Sequence, residues 1–129
     1  MREIKFRGCL KIGDSWEYGG IRYGDMGQAY ILPHGATSRV VLVNRSYVGQ
    51  YTGLKDKNGV KIYEGDIISA EDPEFESGIY DYAVEFDEGV FWGVEITGER
   101  KKPSHHLCHL LDGEVIGNKF ENPELLGGR

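Results

Sequence analysis

VGQYTGLKDKNGVKIYEGDII, Val48 to Ile68, holds more shape information than any other stretch of the chain. Asn58-Gly59 is a strong turn signal, because both residue types tolerate the positive φ that a two-residue type I′ hairpin needs at its centre. Lys57 and Val60 are therefore expected to face each other at the ends of two strands. Downstream, Ile62, Glu64, Asp66 and Ile68 alternate with Lys61, Tyr63, Gly65 and Ile67, so neither side of this strand is cleanly apolar. Gly65 ahead of Asp66 predicts a bulge or corner. An ionised Asp66 at that strand entrance is expected to accept backbone hydrogen bonds, including from the Gln50 to Gly53 corner, and so to be structural.

Working outward, Glu3 to Ile12 alternates Ile4, Phe6, Leu10 and Ile12 against Lys5, Arg7, Cys9 and Lys11, the pattern of a half-buried strand. Trp16 and Tyr18 read as a hairpin return that Gly19-Gly20 breaks. Residues 21–38 are interrupted by glycine and proline, with a short strand possible at Gln28 to Leu32. Val40 to Val43 reads as a strand covered on both faces. Ile79 to Asp87 is strongly amphipathic, and the return after Glu88-Gly89 is expected to point Val90, Trp92, Val94 and Ile96 at the same inner face as Tyr80, Tyr82, Val84 and Phe86. Gly98 to Ser104 reads as a basic loop, His105 to Leu111 as irregular or helical, and Glu114 to Phe120 as strand-like. Asn122-Pro123-Glu124 is a helix start, with Asn as cap and Pro in the first position.

Three blocks, Met1 to Arg7, Val48 to Ile68 and Glu114 to Leu126, together resemble the signature of the YopX family of phage and prophage proteins, in that family's order, over 41 of 129 residues. Gly8-Cys9 departs from the family pattern, in which an aromatic follows a small residue. The resemblance implies a mainly β fold built on a small SH3-type barrel, a phage or prophage setting, and no established activity. The expected arrangement is one YopX-like domain over 1–129, with additional N-terminal strands in 1–47, barrel-forming strands in 48–126, and a short C-terminal helical turn. Its structural signature residues would be Gly53, Asn58, Gly59, Gly65, Asp66, Asn122 and Pro123. The expected core is Phe6, Val41, Val43, Tyr63, Ile67, Val84, Phe86, Trp92 and Val94, with Trp92→Ala the most damaging change.

At 129 residues the chain is long enough to bury a self-standing core. Glycine stands at 19 positions and aromatics at 12%, which suits many short strands joined by tight turns. Cys9 and Cys108 are far apart without metal-type spacing, as expected of reduced thiols in a reducing compartment. Charges at Arg2, Glu3, Lys5 and Arg7 leave no room for an apolar secretory segment, and the longest apolar runs are four residues, so a soluble protein of the bacterial cytoplasm is expected.

The net charge of −6 argues against direct binding of nucleic acid. Charge is nonetheless uneven: Glu71 to Glu99 holds ten acids and no Lys or Arg, leaving fifteen basic and eleven acidic side chains elsewhere. That window could dock a basic partner or mimic nucleic-acid phosphates, and the plainer reading is the wet face of a strand.

Motifs for catalysis are missing. Aligning Asp56 to Gly59 with a calcium loop puts Leu54 and Gly65 at the outer ligand positions, where carboxylates are required. His105, Cys108 and His109 are the only metal candidates, with His105 and His109 on one face if helical, yet they lack further ligands and an HExxH base. No nucleophile elbow or phosphate-cradling loop occurs. The expected function is a noncatalytic binding or assembly module without a cofactor, with a protein partner or a second copy of itself. An acidic inhibitor of a host nucleic-acid-binding protein is the alternative, and a small metal-dependent hydrolase the third reading.

Overall fold

Alternation and frequent glycine turns produce short antiparallel strands throughout the computed structural model, which describes residues 4–35, 39–73, 78–96 and 104–126. The start of the first family block, most of the basic loop, residues 74–77 of the acidic window and the C-terminal Gly127-Gly128 lie outside the described residues. Among the described residues there are eleven strands, three 3₁₀ turns and no α-helix. Two units share the chain, Met1–Gly53 and Leu54–Arg129.

The first unit contains β1 (Phe6–Gly8), β2 (Glu17–Tyr23), β3 (Ala29–Pro33), β4 (Val41–Val43) and most of β5 (Val48–Lys55). Their order is β4-β3-β2-β1-β5, all antiparallel where paired. One face buries Ala29, Ile31 and Val43, with Phe6, Ile21, Val41 and Val48 packed around them. The N-terminal alternation is cut short: β1 ends at Gly8, where an added Cβ would lie 3.1 Å from Val43. Around this short strand the expected burial inverts, leaving Ile4, Leu10 and Ile12 exposed and Arg7 and Cys9 buried. Gly19-Gly20 does not end β2, which runs on to Tyr23. Val40 to Val43 is not covered on both faces: alternation along β4 puts Val43 on the core face opposite Ala29 and Leu42 on the other face opposite Tyr30, so Val43 is buried while Val40 and Leu42 are exposed.

In the second unit, the end of β5 turns at residues 56–60 into β6 (Lys61–Tyr63). A five-stranded antiparallel sheet follows, made of β7 (Asp66–Glu71), β8 (Ile79–Asp87), β9 (Val90–Glu95), β10 (Ser104–His106) and β11 (Glu114–Asn118). Its order is β10-β9-β8-β7-β11. Ile62, Ile68, Ala70, Tyr82, Val84, Leu107 and Leu110 form its core. The segment after residue 104 is strand and then a 3₁₀ turn at Leu107–His109, so the helical spacing of His105 and His109 does not arise. The C-terminal turn is also 3₁₀, Pro123–Leu125.

The aromatic inner face of β8 and β9 is corrected by register. Glu88 and Gly89 both have positive φ, 50° and 80°, as a two-residue I′ turn requires. Such a turn pairs Asp87 with Val90, and therefore even positions of β8 with odd positions of β9. Tyr82 and Val84 consequently share the inner face with Glu95 and Gly93, while Trp92 lies opposite Glu85 on the other face. Gly93 leaves the space that Leu110 fills. Of the expected core, Val43, Tyr63, Ile67 and Val84 are buried, Phe6, Val41, Trp92 and Val94 are half-buried, and Phe86 is 48% exposed.

The fully buried Leu110 should therefore outrank Trp92 in stability. Leu110→Ala is expected to cost about 2–5 kcal/mol in chemical denaturation, and Trp92→Ala clearly less; equal losses would contradict the assigned register.

Candidate functional site

The central signature is held by a carboxylate. Asp56 opens the hairpin loop, and its Oδ1 accepts hydrogen bonds from the backbone N–H of Asn58 at 2.8 Å and of Val60 at 2.9 Å. Its Oδ2 accepts from Val115 N–H of β11 at 2.9 Å, and Lys57 N–H donates to the Gly113 carbonyl at 3.1 Å. One side chain thus shapes the turn and ties it to a strand more than fifty residues away. Burial by itself would raise the pKa of Asp56, but the bonds from Val115, Val60 and Asn58 and the charge of Lys57 outweigh it, and the carboxyl is held below its ordinary value of 3.8.

The turn differs from the expected type. Gly59 has φ 80° but Asn58 is not left-handed, Gly59 N–H bonds to the Asp56 carbonyl, and Asp56 N–H bonds to the Val60 carbonyl. This is a three-residue loop closed by a left-handed glycine rather than a type I′ turn. The Asp at its first position, whose side chain accepts from two residues on, is a legible Asx-turn signal that sequence reading passed over.

Other signature residues are local. Glu64 and Gly65, the latter at φ 94°, make the corner between β6 and β7. Asp66, 2% exposed, accepts from Tyr63 N–H at 2.7 Å, so a neighbour within its own corner is a donor. Gly53 adopts φ 86° near the end of β5. Asn122 precedes the 3₁₀ turn opened by Pro123, yet its side chain does not cap that turn; its Oδ1 reaches back to Asn118 N–H at 3.1 Å. Asn118 in turn accepts from Phe120 and Glu121 N–H.

The histidine cluster is divided by strand alternation. His105 points inward, its Nε2 3.9 Å from Asp72 Oδ1 and its ring edge-on to Tyr82. His106, Cys108 and His109 are exposed, and the rings of His106 and His109 stack at 5.9 Å. Among the described residues, no three His, Cys, Asp or Glu side chains are grouped to hold a metal ion.

Geometry that could receive a ligand lies on the outer face of β8 to β10. Glu85, Asp87, Trp92, Val94 and Ser104 line a recess of about 230 Å³. The Trp92 indole N–H donates to the Asp87 carbonyl at 3.2 Å, and the His106 ring meets it edge-on at 4.6 Å, so the ring is held on two sides. Two carboxylates beside an aromatic wall favour a cation. The wet face expected of the Ile79 to Asp87 strand carries Glu85 and Asp87, and Trp92 stands with them rather than on the inner face.

The sequence profile of the YopX protein family matches residues 11–127. The chain belongs to the YopX family. The match spans both units and includes the central and C-terminal blocks. A solved structure similar to it is that of protein EF1440 from Enterococcus faecalis, 25% identical, with a TM-score of 0.60 over 98% of this chain and 99% of that one. No curated protein matches the chain. Among the described residues, no helix is long and apolar enough to cross a membrane.

Asp56→Asn is expected to lower stability at neutral pH by about 1–3 kcal/mol, since a buried acceptor loses its charge and one oxygen becomes a donor. A carboxyl with a depressed folded-state pKa stabilises fully above its unfolded value and loses that contribution as pH falls through the folded one. The gap between the two proteins in urea melts should accordingly be constant above about pH 5 and close below about pH 4; a gap that widens in acid would refute the assignment.

Proposed function

We propose that this YopX family chain is a noncatalytic, phage- or prophage-encoded binding module of the bacterial cytoplasm, which docks a basic partner on the outer face of β8 and β9. The observation that carries the reading is the position of Trp92 beside Glu85 and Asp87 in an open recess. An incoming Lys or Arg side chain would meet two carboxylates and an aromatic ring, a combination in which charge draws the partner in and the ring contributes desolvated contact. The surrounding window, ten acids without a base from Glu71 to Glu99, extends the attraction beyond the recess.

An SH3-type barrel is the scaffold we propose for this face. Its support is topological: a four-strand meander, a 3₁₀ turn and a last strand returning beside the first, in the order β10-β9-β8-β7-β11, is the strand order of that fold.

The test is a fluorescence titration of Trp92, in a Trp16→Phe background, with an unstructured arginine-glycine peptide. Saturable binding is expected, weakened at least tenfold by the double change Glu85→Gln and Asp87→Asn and by raising salt from about 50 to 500 mM. Binding indifferent to both would refute the reading.

A further inference from the structure

The outer face of the first unit has the opposite character from the recess. Arg7 pairs with Tyr18 across β1 and β2, and Arg22 with Tyr30 across β2 and β3, so these four side chains stand on the face away from Ala29 and Ile31. Cations lie over aromatic rings along it: Lys5 over Tyr18 at 5.6 Å, Arg7, which is itself buried, over Trp16 at 4.9 Å, and Arg22 over Tyr30 at 5.5 Å. Arg22 is exposed, as are Tyr18 at 41% and Leu42 at 47%. The net charge of −6 conceals a division at the unit boundary. Met1–Gly53 carries seven basic and four acidic side chains, and Leu54–Arg129 carries eight basic and seventeen acidic ones.

We infer that a second copy of this chain is a partner, the cationic aromatic face of one copy's first unit seating on the acidic Trp92 recess of another copy's second unit. The inference rests on the reading of that recess as a cation site. Charge complementarity is one support. The other is that Arg22 is already steered by Tyr30 on a rigid strand, so little side-chain freedom is lost when its guanidinium enters between Glu85, Asp87 and Trp92. Arg, Trp and Tyr are also the residue types that dominate interface energetics. Because the two surfaces differ, the contact is heterologous and each copy offers one of each, so association continues into a ring or an open chain.

Sedimentation velocity of the full chain, over a hundredfold range of concentration at about 50 and 500 mM salt, tests this. Mass above one chain is expected at low salt, rising with concentration and falling to a single chain at high salt. Arg22→Glu and Glu85→Arg, each checked for an unchanged circular dichroism spectrum, should separately weaken self-association at least tenfold. Mixed together they should recover a complex, because one retains the intact recess and the other the intact cationic face. A single-chain mass for the wild type at every low-salt concentration, or no complex in the mixture, overturns the inference. If the arginine-glycine peptide still binds while the wild type stays single, self-docking fails and the recess reading stands; if the peptide fails too, both fall. Wild type that stays single but binds an oligo-dT strand through Arg22 would likewise overturn it, assigning that face to nucleic acid.

Discussion

A two-residue turn decides which side chains of the second unit meet the core and which stand on the outer face around Trp92. With Glu88 and Gly89 both left-handed, Asp87 must face Val90, and every later pairing between β8 and β9 inherits that parity. Shifting β9 by one residue against β8 would turn Trp92 inward toward the space occupied by Leu110 and put Gly93 on the outer face, while Glu85 kept its side. The core of Tyr82, Val84, Leu107 and Leu110 and the recess around Trp92 are two faces of the same ladder, and neither can be altered without the other.

A second constraint is polar. Asp56 joins the hairpin loop to β11, accepting from Asn58 and Val60 of the loop and from Val115 of β11, and so holds a loop of exposed Lys57, Asn58 and Gly59 in one shape. A buried carboxylate is costly to desolvate, and here several short bonds offset that cost. Asp66 serves the next corner in the same manner, on a smaller scale, by accepting from Tyr63.

Much of the fold was legible because alternation and turn chemistry are local. The strands at Ile79–Asp87, Val90–Glu95 and Glu114–Asn118, the Gly65 corner and the turn opened by Pro123 all follow from residues within a few positions of one another. The failures came where a distant neighbour decides. Val40 to Val43 reads as fully buried, but only the side of β4 that carries Val43 packs on the Ala29 and Ile31 core, and Leu42 on the other side is exposed. Ile4 and Ile12 imply a buried face, but β1 spans only Phe6–Gly8 and both lie outside it, exposed. Trp92 was misplaced for a different reason: the turn was recognised, but its parity was not carried into the returning strand. Asp56 carries a local turn signal for its bonds from Asn58 and Val60, whereas its bond from Val115, at the other end of the chain, has none.

The division of charge gives the two units different chemistry, a mildly basic aromatic sheet and a strongly acidic one, and the family match spans both. The chemistry that the second unit's outer face offers depends on the side to which the β8 and β9 residues point. Aromatic side-chain NOEs report this most directly. The account predicts cross-peaks between the rings of Phe86 and Phe91, whose centroids are 4.8 Å apart, and from the Trp92 indole to His106. Cross-peaks from the Trp92 indole to the side chains of Tyr82 and Val84 would contradict it.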